Sequence, residues 1–283
     1  MFKNKKRLII SIIIFVIVLF VVRLYIDNNV FTTSYVDFYD FEMPYTFNGV
    51  KILQISDLHN KSYGKENEKL LNEIDKISPN YIFLTGDMVS SKDTDFTPFF
   101  TLASKIGPKY DCYYIIGNHE MDLTNEQRNS IYQTLNNYDI TILDNERVEL
   151  FREEEKVNLY GMWYNPRFYS KEDFSVENMI SILGNSEEEF NILLTHNPDD
   201  FEVYATWGAD LIFSGHVHGG MIRLPLVGAL LSPERKFFPK YNSGIYEIKN
   251  KFMIVSRGLG HSRPGIRIKN KPDLVSIIFK CKE

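Results

Sequence analysis

Five short apolar runs in this chain end in the same way. Ile52-Leu53-Gln54-Ile55-Ser56 leads into Asp57-Leu58-His59, Ile82-Phe83-Leu84-Thr85 into Gly86-Asp87, and Tyr114-Ile115-Ile116 into Gly117-Asn118-His119-Glu120. Ile192-Leu193-Leu194-Thr195 leads into His196, and Leu211-Ile212-Phe213-Ser214 into Gly215-His216-Val217-His218-Gly219-Gly220. Apolar runs of strand length, bounded by turn residues and separated by helical lengths, predict an α/β layered fold. Further strands are expected at Ser34–Phe41, Val157–Tyr160, Gly244–Ile248, Phe252–Val255 and Leu274–Phe279, with helices near Lys65–Ile77, Phe96–Ser104 and Asn125–Asn137. Asn145–Asn158, with its Glu153-Glu154-Glu155 run, reads as a solvated hairpin or loop.

In open α/β sheets the carboxyl ends of the strands form the ligand crevice. Five of the six histidines lie at these run ends, where scattered core or surface histidines would not collect. Asp, Asn and neutral His supply oxygen and nitrogen donors without thiolate, a set that suits Mn²⁺, Fe or Zn²⁺. The i, i+2 spacing in Asp57-Leu58-His59 and His216-Val217-His218 would place each pair on one side of an extended segment. Gly86, Gly117, Gly215, Gly219 and Gly220 allow sharp turns and close approach to a ligand.

The series Asp57-x-His59, Gly86-Asp87, Gly117-Asn118-His119-Glu120, His196 and Gly215-His216-x-His218 resembles the calcineurin-like metallophosphoesterase superfamily, over about residues 50–257 and with every motif in order. The resemblance implies an α/β fold, a four-layer αββα sandwich of two mixed β-sheets. It implies two divalent metal ions (Mn, Zn or Fe). Asp57, His59, Asp87 and His218 resemble the ligands of the first. Asp87, Asn118, His196 and His216 resemble those of the second. Asn118 and His119 resemble the catalytic residues, with His119 near the leaving group of a phosphate attacked by a metal-bridged hydroxide. Many relatives have Asp where this chain has Glu120. The Gly219-Gly220-Met221-Ile222-Arg223-Leu224-Pro225 segment, Gly228-Ala229 and Arg257-Gly258-Leu259-Gly260 resemble the bacterial membrane-anchored branch, which acts on cell-envelope phosphoesters, UDP-diacylglucosamine or phospholipids. That branch often has Gln at the position of Met221.

The N-terminus reads as a membrane segment. Lys3, Lys5, Lys6 and Arg7 precede an apolar run from Leu8 to Val22, broken only by Ser11. Continued to Ile26, the helix reaches ~28 Å against a hydrocarbon core of ~30 Å, with Arg23 placed to snorkel. A cleaved signal peptide is the rival reading, but it needs small residues at the cut and the first alanine is Ala103. Residues 1–29 are therefore expected to be a cytoplasmic basic flank and single-pass anchor in the cell membrane, and residues 30–283 an extracytoplasmic catalytic domain. Residues 1–30 hold five basic residues and one acid, which leaves 27 basic and 36 acidic residues over 31–283, a charge of −9. Such a body has no basic footprint for nucleic acid. Two cysteines are too few for a disulfide scaffold, and Cys112 and Cys281 either pair or stay as free thiols.

Two later segments bear on the substrate. Residues 221–241 are very apolar for a stretch beside a metal site (Leu224, Leu226, Val227, Leu230, Leu231, Phe237, Phe238), with Arg223, Arg235, Lys236 and Lys240 among them. They read either as a membrane-facing flap admitting a lipid-linked phosphate or as a loop packed on the sheet edge. Arg223, His261 and Arg263 are candidate contacts to the substrate phosphate, with Arg267 in the same polar cluster. The partner is thus a phosphorylated substrate, lipid-linked or part of the envelope. The alternatives are a phosphatase or phosphodiesterase on soluble esters, and a non-catalytic metal- or lipid-binding module. The oligomeric state is left open.

Overall fold

The computed structural model describes residues 2–164, 174–224, 227–233, 235–261 and 265–281. In chain order its first elements are α1 (Phe2–Asn29), β1 (Thr32–Asp40), β2 (Lys51–Ile55), α2 (Glu68–Ile77), β3 (Tyr81–Thr85), α3 (Thr97–Ile106) and β4 (Asp111–Ile115). Then come α4 (Asn118–Met121), α5 (Asn125–Asn136), β5 (Ile140–Ile142), β6 (Glu146–Arg152), β7 (Glu155–Met162), α6 (Val176–Leu183), β8 (Asn191–Thr195), α7 (Phe201–Trp207) and β9 (Leu211–Ser214). The last are β10 (Ile222–Leu224), β11 (Gly228–Leu231), β12 (Gly244–Ile248), β13 (Lys251–Val255) and β14 (Asp273–Cys281).

Two six-stranded sheets result, ordered β1-β14-β2-β3-β4-β5 and β12-β13-β9-β8-β7-β6, beside a two-stranded β10-β11 pair. Both large sheets are mixed. In the first, β14 runs antiparallel to β2 while the other pairs are parallel. In the second, the outer pairs β12-β13 and β6-β7 are antiparallel around a parallel centre.

Period-two alternation divides the side chains of the inner strands between three apolar layers. Ile52, Phe83 and Ile277 of the first sheet meet Leu159, Ile192, Phe213 and Ile254 of the second. Leu53, Ile55, Ile82, Leu84 and Tyr114 point the other way, onto Leu70 and Ile74 of α2 and Phe99, Leu102 and Ile106 of α3. Tyr160, Leu193, Ile212 and Met253 pack on Met179 of α6 and on Phe201, Tyr204 and Trp207 of α7. The fold is the expected αββα sandwich. Gln54 ties its layers together near the functional end, donating to Thr85 Oγ1 (3.0 Å) and to the carbonyl of Ser214 in the opposite sheet (2.9 Å).

Of residues 145–158, all but Asn145 fall within the β6-β7 hairpin, which turns at Glu153 and Glu154. Among the described residues of the apolar 221–241 segment, Ile222–Leu224 and Gly228–Leu231 form the antiparallel β10-β11 pair. Strand β5 and helices α6 and α7 are elements that the pattern of apolar runs does not announce. Cys112, buried, and Cys281, half-buried, are free. Helix α1 extends beyond the expected span, and over Lys5–Asn29 it is long and apolar enough to cross a membrane.

Candidate active site

The carboxyl ends of β2, β3, β4, β8 and β9 converge, and the residues that follow them form one cluster. Asp57, Asp87, His196 and His218 are buried at its floor, while Asn118, His119 and His216 are half-buried on its open side. His218 Nε2 lies 3.4 Å from Asp57 Oδ1 and 3.2 Å from His59 Nε2. His196 Nε2 lies 3.2 Å from Asp87 Oδ2, and His59 and His119 approach the same oxygen at 3.9 and 4.0 Å. His216 Nδ1 is 2.8 Å from Asn118 Oδ1. Donor atoms of Asp57, His59 and His218, and likewise of Asp87, His196 and His216, lie within 4.8 Å of one another. A third overlapping group joins His59, Asp87 and His119, so Asp87 stands at the centre.

The backbone at the cluster differs from the extended segments expected from the i, i+2 spacing. Asp57, His59, Asp87, His216 and His218 all have positive φ, between 47° and 72°. Left-handed backbone costs non-glycine residues of order 1–3 kcal/mol each and persists only where the surroundings over-determine it. Here the pairs converge because the chain turns back on itself, not because it is straight. Close approach sets the glycines. A Cβ on Gly117 would lie 2.3 Å from Asp87 Oδ1, and one on Gly215 would lie 1.9 Å from Ser56 Oγ.

Hydrogen bonds fix the side chains. Asp57 accepts from Ser56 Oγ (2.6 Å) and from the backbone N–H of His216 (3.0 Å), and Asp87 accepts from the N–H of His119 (2.8 Å). His196 Nδ1 donates to the carbonyl of Thr85 (2.8 Å), which leaves its Nε2 for the cluster. His119 Nδ1 accepts from the N–H of Ser91 (3.0 Å), so in the neutral ring the proton sits on Nε2, facing the site. Glu120 lies behind the cluster. Its carboxylate accepts from the N–H groups of Asp87 (2.9 Å), Met88 (2.6 Å) and Gly117 (2.9 Å), locking the β3 and β4 loops together. Burial and the Asp87 charge push Glu120 up to about 8. Burial holds His59 down to about 3, and burial with the neighbouring His59 and Arg267 holds His218 well below its ordinary value. Despite burial, Asp87 and Asp57 raise His196 to about 10.

Of the remaining candidates, His261 shares a cavity with His218. Arg223 is half-buried, its guanidinium donating to Gly219 O (2.7 Å), Asn242 Oδ1 (3.0 Å) and Ser243 Oγ (2.9 Å). Arg263 lies outside the described residues. Sequence reasoning did not find the part taken by Arg267. It is buried, and its guanidinium donates to the carbonyls of His218 (3.1 Å), Arg257 (2.6 Å), Gly258 (3.2 Å) and Gly260 (2.6 Å). Asn270 adds a bond to His218 O at 2.7 Å. The only signal in the sequence was an arginine two positions from the lysine and three from the asparagine of a glycine-flanked polar stretch.

The sequence profile of the family described as Calcineurin-like phosphoesterase matches residues 50–220, more than half of the chain. The chain belongs to the calcineurin-like phosphoesterase family. Members are metal-dependent hydrolases of phosphoric esters, and the family uses a dinuclear metal centre. The metallophosphoesterase YkuE of Bacillus subtilis, itself uncharacterised, is 27% identical over 253 residues, covering 84% of this chain and 82% of its own. The phosphodiesterase YaeI of Escherichia coli is 26% identical over 237 residues, covering 80% of this chain and 81% of its own. The UDP-2,3-diacylglucosamine pyrophosphatase LpxG of Chlamydia muridarum is 23% identical over 297 residues, covering 86% and 87%.

The residues present fit a calcineurin-like metal pair. Among the described residues, no Lys or Arg side chain donates to the two buried carboxylates of Asp57 and Asp87. Two imidazoles held neutral turn their Nε2 atoms toward one another at 3.2 Å, and the buried His196 Nε2 points at Asp87 Oδ2 from 3.2 Å. Buried polar atoms so arranged are costly unless cations satisfy them.

Proposed function

We propose that this chain is a membrane-anchored, di-metal phosphoesterase that hydrolyses a phosphate ester or pyrophosphate bond in a lipid-linked or envelope substrate outside the cytoplasm. The observation that carries the reading is the placement of Asp87 between two groups of nitrogen and oxygen donors. Asp57, His59, Asp87 and His218 would hold one divalent cation, and Asp87, Asn118, His196 and His216 the other. Cations bound there supply Lewis acidity to phosphoryl oxygens and bring the pKa of water from ~15.7 toward ~7.

The chain's own groups do the rest. Asn118, at the N-terminus of α4 and on the open side, orients a phosphoryl oxygen. His119 presents Nε2–H to the site because Ser91 occupies Nδ1, and it donates that proton to the leaving oxygen. Glu120 and the backbone bonds of Asp57 keep the floor from rearranging as charge develops. The basic flank Lys3, Lys5, Lys6 and Arg7 on the N-terminal side of α1 supports an orientation with the body outside.

Lipid linkage is supported by a cavity of about 550 Å³ beside His218, whose lining includes Met221, Leu231, Phe237 and Ile266. The name of LpxG gives an acylated pyrophosphate as that relative's substrate. The test is the full chain in detergent with Mn²⁺ or Zn²⁺, offered p-nitrophenyl monoesters and diesters, UDP-linked esters and lipid phosphates in parallel. Metal-dependent hydrolysis with lipid phosphates preferred is the expected result. Stoichiometric metal without hydrolysis of any ester would end the enzymatic reading. A preference for soluble esters would end the lipid-linked one.

A further inference from the structure

The anchor helix is fastened to the catalytic body beside the cavity mouth. Asn28, in the last turn of α1, donates from Nδ2 to the carbonyl of Arg267 (3.0 Å) and accepts at Oδ1 from the N–H of Arg267 (2.9 Å). Asp27 is buried, accepts from the N–H of Lys269 (2.7 Å), and is paired with Arg23 at 2.9 Å. Lys61, just past the β2 loop, donates to the carbonyl of Asn28. The connection to β1 is two residues, Val30 and Phe31, which reach at most about 7 Å. A bilayer crossed by α1 is therefore held against the body in a fixed orientation.

The surface at that junction is apolar and exposed. Ile266, next in chain to the docked Arg267, is 56% exposed, and across the cavity mouth Phe237 is 70% exposed. Phe238, 61% exposed, neighbours Phe237, which bridges to Leu231 of β11, while Ile268 bridges to Ile222 of β10. Leu224 of β10 and Val227, just before β11, are also exposed. Large apolar side chains grouped this way mark an interaction site. Residues 257–272 contain no acid, and although Arg267 is buried and Arg257 is paired with Asp273 at 3.0 Å, Lys269 and Lys271 follow Ile266 closely in the chain, in a body whose net charge is −9.

From these observations we infer that the rim formed by Phe237, Phe238 and Ile266, continued by Leu224 and Val227, rests in the interfacial layer of the bilayer that α1 crosses. The cavity beside His218 then opens onto lipid. The inference rests on the anchor reading above and adds a second membrane contact to it. Apolar side chains at an interface lie about 5–10 Å into the head-group boundary, and neighbouring cations meet anionic head groups. A second copy of the chain is the competing occupant, but it would face the same basic stretch with its own.

The test uses the full chain in proteoliposomes of phosphatidylcholine with anionic phosphatidylglycerol, in two sets whose lipids carry bromine on the acyl chain either close to the head group or near the chain end. Phe237→Trp and Ile266→Trp each report the rim, Phe15→Trp reports the anchor, and the parent protein, with Trp163 and Trp207, gives the baseline. The expected result is about a two-fold loss of the added emission in all three variants, with the rim reporters quenched more by shallow than by deep bromines. Quenching of Phe15→Trp alone would overturn the rim contact, whether solvent or a second copy covers it. Quenching of none would remove the anchor and the rim together. Neither result depends on phosphoesterase activity, so the catalytic reading stands or falls separately.

Discussion

The floor of the site and its rim, a few residues apart, obey opposite rules. At the floor, polar groups are buried: Asp57, Asp87, His196 and His218 are each no more than 5% exposed, and backbone or side-chain partners fix their orientation. At the rim, apolar groups are exposed, and Phe237 and Ile266 pack against little. Burying unpaired polar groups is costly, as is leaving grouped apolar ones in water. Each region is incomplete in a different way. The floor calls for cations and the rim for an apolar surface. On the proposed reading, over-determined geometry sets the chemistry at the floor, and the apolar rim sets how the substrate approaches.

The contrast breaks most sharply at Asp87. Asp87→Ala removes the oxygen shared by two donor groups, so metal content measured by elemental analysis should fall and turnover with it. The loss should exceed the roughly 10²–10³ that a single electrostatic contact contributes. An Asp87→Ala protein with parental metal and activity would show that the floor is not the reacting centre. His119→Ala separates holding from reacting. Its Nε2 faces the site, but Ser91 fixes it from outside the donor groups of Asp57 and of His216. We expect kcat to drop about 10²–10⁴-fold with metal retained. Loss of metal in step with activity would instead make His119 a ligand.

Much of the floor was legible because its residues are local to strand ends. Runs such as Ile82–Thr85 announce a strand by composition, and the polar residue after each has to sit at the sheet's carboxyl edge. An α/β layered fold follows from the lengths and separations of those runs, whereas the four-layer αββα arrangement is implied only by the family resemblance. The local geometry was not legible. The i, i+2 pairs suggested extended backbone, whereas Asp57 and His218 adopt left-handed φ that only the assembled loops can enforce. Arg267 was hidden for a related reason. An arginine in a polar stretch looks solvated, and its burial depends on carbonyls from residues 218, 257, 258 and 260, brought together only in the fold. The docking of Asn28 onto Arg267 joins residues 239 apart in sequence, beyond any pattern of spacing.

Arg267 links floor to rim, and its removal should sharpen the comparison. The Arg267→Met variant leaves buried carbonyls without donors, each costing about 1–3 kcal/mol. At about 2–4 °C per kcal/mol for a body of this size, thermal unfolding in detergent should fall by roughly 10 °C. Metal affinity should weaken as His218 loses its support. Unchanged Tm and metal affinity would reduce Arg267 to a bystander. Arg267→Lys, which keeps a charge but not the planar fork, should recover only part of the loss.

The smallest effect belongs to the rim. Phe238→Ser with Val227→Ser leaves every floor residue in place and removes two exposed apolar side chains. Burying one such side chain is worth about 1.5–3 kcal/mol when complete, and an interfacial contact recovers only part of that. If the rim seats the mouth on the bilayer, the ratio of kcat/KM for a vesicle-borne lipid phosphate to that for a soluble ester should fall roughly ten-fold, the equivalent of about 1.4 kcal/mol. Raising salt should lower the same ratio in anionic vesicles, because screening weakens the contribution of Lys269 and Lys271. A ratio unmoved by both changes would mean that α1 alone sets the approach to the membrane, and that the apolar rim serves something other than substrate entry.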